Sequence, residues 1–163
     1  MNYRKIAVVG ISGSGKSVFS RQLSSETGLP VFHMDALFWR GNWESVPEPE
    51  YLQEHESLVQ KNEWIIEGWI DAKMSNRLKK ADVVLYLDYS GIRCAARLIK
   101  RWFQFRNKNR PELPKEAIEG LSLKFLWRVI TRAERKGIEE AIEISKPLEL
   151  KRFHSPKELS QFM

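Results

Sequence analysis

The chain has 163 residues, 42% of them hydrophobic, with a formal net charge of +6 at pH 7 and a pI of about 9.5. That suits one domain over residues 1–163, is too apolar for a disordered chain, and favours an anionic partner. One cysteine, Cys94, three scattered histidines (His33, His55 and His154) and no apolar run near the roughly 18 residues of a membrane helix point to a cytoplasmic protein without membrane contact, disulfide or zinc site.

Lys5–Val9 is short, apolar and stopped by glycine, which predicts a buried strand. Lys16–Thr27 follows as a helix with Phe19 and Leu23 on one face, Gly28 just past its end and Pro30 as a stop. "VFHM" (31–34) is a second strand, ending at Asp35. Glu48–Gln60 is helical after Pro47, "WIIEG" (64–68) is a third strand and "DVVLYLD" (82–88) a fourth. Ile92–Phe105 is a long helix whose apolar stripe is Ile92, Ala95, Ala96, Ile99 and Phe103. Residues 106–117 form a polar loop. Leu121–Ala133 and Glu134–Ile144 are helical, "LELK" (148–151) is a fifth strand, and "SPKE" (155–158) carries the capping pattern of a short last helix. Strands that are continuously apolar, alternating with helices, predict a three-layer α/β fold around a parallel sheet. Ligands of such sheets bind beyond the strands' carboxyl ends, where Gly10, Asp35, Glu67 and Asp88 fall.

"GISGSGKS" (10–17) is poor packing material between a strand and a helix. It satisfies G-x-x-x-x-G-K-[ST], the phosphate-binding P-loop, in the strand–loop–helix context that motif requires. The expected cradle is Gly10, Ser12, Gly13, Ser14, Gly15, Lys16, Ser17 and Val18: backbone N–H groups turned inward at a helix N-terminus. Lys16 would reach the β- and γ-phosphates of a nucleoside triphosphate, and Ser17 would ligate Mg²⁺, a hard cation that takes oxygen ligands.

Glu67, before Gly68, is placed to hold a Mg²⁺-bound water. Asp35 is placed to orient or deprotonate an acceptor hydroxyl, with Phe38, Trp39 and Trp43 as candidate pocket walls. Residues 93–110 hold Arg93, Arg97, Lys100, Arg101, Arg106, Lys108 and Arg110 and no acid, which fits phosphate binding better than a solvated face of mixed sign. Arg128 and Arg132, one turn apart, are candidates to add to it. The three histidines and Cys94 are read as structural.

Together these residues resemble the nucleotide-kinase branch of P-loop proteins, to which adenylate, shikimate and gluconate kinases belong. The order of "GSGKS", "LPVFHMDALFW", "EWIIEG", "ADVVLYLD" and "RCAARLIKR", over nearly the whole chain, is most similar to the small bacterial proteins called DNA topology modulation proteins. The resemblance implies a five-stranded parallel sheet, a mobile lid over approximately 103–121, and binding of ATP and Mg²⁺. By position Arg97 and Arg101 match the arginines that open the adenylate kinase lid, Arg106 and Arg110 fall in the lid, and "RFHSPKE", with Ser155 and Pro156, matches the loop that touches adenine. The chain departs from adenylate kinases in having "EGWID" after the third strand, without the arginine that would hold an acceptor monophosphate; Arg77 is a candidate substitute. It departs from shikimate-type kinases in having Asp35 alone where they carry Asp-x-Asp.

Two functions follow as expectations. The first is an ATP-dependent kinase in which Lys16, Arg97 and Arg101 stabilise the transferring phosphoryl group, Asp35 activates a small-molecule acceptor, and Ser17 and Glu67 hold Mg²⁺. The second is a nucleic-acid-binding regulator in which the basic helix, with Trp102, Phe103 and Phe105, tracks phosphates and stacks bases. The direction of the arginines discriminates them: toward the P-loop for the first, over an outer face for the second.

Overall fold

Ile6, Ala7, Val8 and Val9 are wholly inaccessible to solvent. A strand buried on both faces must have layers on either side of it, and each fully buried Ile or Val contributes about 1.5–3 kcal/mol to holding them there. In the computed structural model, which describes residues 3–40, 44–105 and 121–162, these residues belong to β1 (Lys5–Gly10). They are followed in chain order by α1 (Lys16–Thr27), β2 (Val31–His33), α2 (Met34–Phe38), α3 (Glu48–Val59), β3 (Trp64–Glu67), α4 (Asn76–Lys80), β4 (Val83–Leu87), α5 (Gly91–Phe105), α6 (Leu123–Ile130), α7 (Arg135–Ser145), β5 (Leu150–Phe153) and α8 (Pro156–Ser160). A 3₁₀ turn over Ala72–Met74 precedes α4.

The five strands form one parallel sheet in the order β2-β3-β1-β4-β5. β3 and β4 are buried along their whole length like β1, so the expected layered α/β fold with helices flanking the sheet is present. The register fixes the functional end. Val8 pairs with Glu67, His33 with Glu67, Gly10 with Leu87, and Leu87 with Phe153. The carboxyl ends of all five strands therefore open on one edge. α1 starts there and ends where predicted, Gly28 taking φ +75 and donating its N–H to the Ser24 carbonyl at 2.8 Å.

Four expectations need correction. The second strand stops at His33, and Asp35 lies in the first turn of α2 instead of ending a strand. The fifth strand runs two residues later than expected, because Leu148 is 86% exposed and pairing begins at Leu150. α4 was not anticipated: five residues, three of them basic, give no periodicity to read. The stripe expected to bury α5 is largely its outer face. Gly91, Cys94, Ala95 and Leu98 are buried, while Ile92 is 75%, Ile99 38% and Phe103 62% exposed, and Ala96 is exposed too. Of that stripe only Ala95 faces inward, since the helix carries two apolar stripes and Gly91 and Cys94 complete the narrower one.

α3, α4 and the 3₁₀ turn enclose an unusual core pair, His55 and Arg77, respectively 2% and 0% exposed. Burial, with the adjacent Arg77 charge, pushes the His55 imidazole down to about 4. A depressed histidine binds fewer protons folded than unfolded, so its penalty is absent above its unfolded value and grows as pH falls toward the folded one. Urea unfolding should show a loss of about 2 kcal/mol attributable to His55 between pH 7.5 and pH 5, and a His55→Gln variant should lack that component. An unchanged pH slope in the variant would refute the buried neutral imidazole.

Candidate active site

The P-loop closes at Ser14, whose N–H donates to the Ile11 carbonyl at 3.1 Å. Two glycines make its path possible. Gly15 takes φ +94 at the head of α1, a region closed to most side chains. Gly13, at φ +79, packs so tightly on α5 that a Cβ there would collide with the Cys94 carbonyl oxygen and lie 2.9 Å from Leu98 Cγ. This contact sets α5 against the loop. Arg97, one turn after Cys94, then donates Nη1–H to the Ser14 carbonyl at 2.7 Å, its guanidinium 5.3 Å from the centre of the Tyr89 ring. Lys16 folds back, donating to the Ile11 carbonyl at 3.1 Å. Val18 is 63% exposed in the first turn of α1. The Ser14 hydroxyl is buried with no hydrogen-bond partner. Cys94 lies under the loop as a buried thiol, pushed up to about 11 by burial, and is inert as expected.

Across the sheet end sits Glu67, 2% exposed. Burial pushes its carboxyl up, but the hydrogen bond with His33, the charge of Lys16 and the nearby Ser17 hydroxyl outweigh burial and hold it below its ordinary value. His33 Nδ1 lies 2.7 Å from Glu67 Oε1. The carboxylate therefore stays ionised beside Lys16 and Ser17. A hydroxyl and an ionised, nearly buried carboxylate are hard oxygen donors of the kind Mg²⁺ takes, so the residues present fit that ion. Reading His33 as merely structural missed this contact. The signal was the strand register, which places the last residues of β2 and β3 side by side and which neither strand states alone.

Asp35, exposed in α2, lies close enough to Tyr51 and Arg77 to influence both electrostatically. Phe38 and Trp39 meet edge to face at 4.7 Å, and Phe38 meets Tyr51 at 5.1 Å. Phe38 and Trp39 are half-buried and follow Asp35 in the chain, and Tyr51 is buried; Trp43 lies outside the described residues. Arg77 donates to the carbonyls of Gly68 and Trp69 at 3.3 and 3.0 Å, while its Nε and Nη1 have no hydrogen-bond partner. Burial pushes its guanidinium down to about 10, still charged at neutral pH, with Tyr51, Glu67, Asp35 and Asp71 acting against burial. As placed, it fixes the turn after β3 and offers no accessible face to an acceptor monophosphate.

The remaining basic residues divide. Arg101 is half-buried and engaged with neighbours, while Arg93, Lys100 and Arg128 are exposed. Arg106, Arg110 and most of the expected lid lie outside the described residues. Arg132 pairs with Asp88, not with the P-loop. Asp88, 6% exposed just beyond β4, also accepts from Arg135 at 3.3 Å and from Arg152 at 3.1 Å. Arg152 in turn forks onto Glu139 with two 2.8 Å bonds. Apart from the acid closing a strand, no motif announces this hub. Ser155 caps α8, its hydroxyl accepting the Glu158 N–H at 3.3 Å and donating to the Glu158 carboxylate at 2.9 Å, and Pro156 is the first helical residue, so this turn lies just beyond β5 on the same sheet edge. No helix among the described residues is long and apolar enough to cross a membrane.

No protein-family model matches the chain, and neither does any curated protein sequence. Its fold does match solved structures. A shikimate kinase from Acinetobacter baumannii in complex with shikimate superposes with a TM-score of 0.59 at 16% identity, covering 99% of this chain and 90% of that one. A shikimate kinase from Bacteroides thetaiotaomicron gives 0.61 at 11% identity, covering 98% and 93%. One from Aquifex aeolicus gives 0.50 at 16%, covering 95% and 89%. At such identities the likeness shows the fold: a five-stranded parallel sheet with flanking helices, built as in P-loop kinases.

Proposed function

We propose that the protein is an ATP-dependent phosphotransferase that moves the γ-phosphoryl group of ATP to a hydroxyl of a small acceptor in the cytoplasm. The observation that carries this reading is the convergence of Lys16, Ser17, ionised Glu67 and Arg97 on one loop at the sheet's carboxyl edge. The P-loop N–H groups with Lys16 bind the triphosphate; Ser17 and, through water, Glu67 would hold Mg²⁺. Bound there, Mg²⁺ neutralises phosphate charge. Asp35 takes the acceptor's hydroxyl proton as its oxygen bonds to phosphorus and ADP departs, with Arg97 and Arg101 balancing the charge that spreads over the transferring group. Phe38 and Trp39 line the acceptor side, and the turn at Ser155–Pro156 takes the adenine. The lid arginines Arg106 and Arg110 complete the closure in this reading. Sequence resemblance to the DNA topology modulation proteins agrees with the order of motifs; a role on DNA has no support in the fold neighbours, which are kinases.

Lys16→Ala should weaken ATP binding roughly 10–100-fold, since a hydrogen bond to a charged group contributes about 1.5–3 kcal/mol, and should abolish phosphoryl transfer with the melting temperature unchanged. Calorimetric titration of ATP showing wild-type affinity would remove the P-loop assignment.

Glu67→Gln keeps shape and removes charge. The Mg²⁺ concentration for half-maximal activity should rise about 10–100-fold, the usual cost of losing an outer partner of a metal site, with metal-free nucleotide affinity changing far less. Normal activity at ordinary Mg²⁺ would make Glu67 structural.

Arg97→Ala and Arg101→Ala should each cut kcat strongly, with the acceptor found by screening ATP consumption over nucleosides, nucleotides and hydroxyl metabolites. Affinity for duplex DNA, titrated over salt on the same variants, should be weak and unaltered. Full turnover together with a salt slope reduced by about 0.9 per arginine would instead mark a phosphate-tracking surface.

A further inference from the structure

Glu134 belongs to no motif, yet its carboxylate sits on the P-loop. The Ser12 N–H donates to Oε2 at 2.7 Å, and the Ser12 hydroxyl donates to Oε1 at 2.8 Å and to Oε2 at 3.1 Å. Three contacts thus join one carboxylate to one loop residue 122 positions away. The corner that delivers Glu134, between α6 and α7, is anchored on its own account. Arg132 and Arg135, on either side of it, both bond Asp88 beyond β4, and the last residue of β4 pairs with Gly10 at the start of the loop. Arg132 adopts φ +57, a left-handed conformation that a non-glycine side chain keeps only where its surroundings over-determine it. The position of Glu134 is therefore imposed by the Asp88 hub, not by its bonds to Ser12.

A loop whose N–H groups and hydroxyls gather anions holds an anion already, supplied by the chain. We propose that Glu134 is an internal anionic competitor on the P-loop, which a nucleotide's phosphates must repel or displace, so that it sets nucleotide affinity and the response to the number of phosphates. Two negative groups drawn to one small cradle oppose each other more as the incoming charge grows. Lys16, whose ammonium now bonds the loop's own Ile11 carbonyl, is the cation free to turn toward incoming phosphate. The proposal rests on the reading of the loop as an ATP site and adds to it a built-in restraint.

The test is calorimetric titration of ATP, ADP and pyrophosphate into the wild type, Glu134→Gln and Glu134→Ala, with Lys16→Ala as the reference for loop-dependent binding. Glu134→Gln keeps an acceptor for Ser12 and removes the charge. It should tighten ATP about 5–20-fold, within the usual range of coupling between sites, and ADP by a smaller factor; Glu134→Ala should do the same, provided its thermal melt shows a folded protein. An ATP dissociation constant unchanged or weakened in folded Glu134→Gln, while Lys16→Ala still loses ATP, overturns the competitor and leaves Glu134 a brace. Equal tightening of ATP and ADP overturns the dependence on phosphate number. If Lys16→Ala binds ATP as well as the wild type, the ATP reading itself fails, and the competitor with it.

Discussion

The missing side chain of Gly13 is the constraint on which the site depends. Because nothing projects from that residue, the backbone of α5 comes into contact with the phosphate loop at the Cys94 carbonyl. Helical spacing then decides which residues face the loop. Arg97 lies three residues after Cys94, so its guanidinium meets the Ser14 carbonyl, and Leu98 seals the contact. A single methyl group at Gly13 would push α5 away and with it the arginine. The basic helix, the loop and the strand before the loop are thus one packing unit. The other side of the loop is held differently, by ion pairs: Asp88 gathers Arg132 and Arg135 from the corner between α6 and α7 and Arg152 from β5, and so presents Glu134 to Ser12. Packing fixes one flank of the cradle and charge fixes the other.

This division has an energetic sense. Asp88 is nearly buried, and a buried carboxylate left without partners is strongly unfavourable. Three arginines oversupply it, and Glu139 takes part of the excess through Arg152 and Arg135. Deletion of any one arginine would leave Asp88 with two partners, whereas loss of Asp88 would leave Arg132 without its acid and Arg135 and Arg152 sharing Glu139, so the acid, not any base, holds the hub.

The layered fold, the P-loop and most element boundaries were legible in the sequence because they follow from local pattern: apolar strand runs, the glycine–lysine–serine spacing, and Gly28 and Pro30 after α1. What was illegible depends on distance. His33 and Glu67 are 34 residues apart, and Ser12 and Glu134 are 122 apart; their pairing is set by strand register and by the Asp88 hub. The orientation of α5 misled for a different reason. Ile92, Ala96, Ile99 and Phe103 make a cleaner hydrophobic stripe than Gly91, Cys94, Ala95 and Leu98, yet the second set is inside. Close approach of two backbones selects small residues, so the face that packs tightest is the less hydrophobic one. Periodicity weighs hydrophobicity and is blind to that choice.

Charge also separates the two halves of the site. Beyond β3 Arg77 is buried whole, and Tyr51, Glu67, Asp35 and Asp71 offset its desolvation only in part, so that burial still pushes its guanidinium down to about 10. The neighbouring His55 stays neutral because burial, and after it the Arg77 charge, disfavours its imidazolium. On the loop side Lys16 and Arg97 bond to backbone carbonyls, Ile11 and Ser14, with ionised Glu67 close enough to Lys16 to be held charged by it. Glu67, ionised and bonded to His33, lies on the boundary between the two groups of charges.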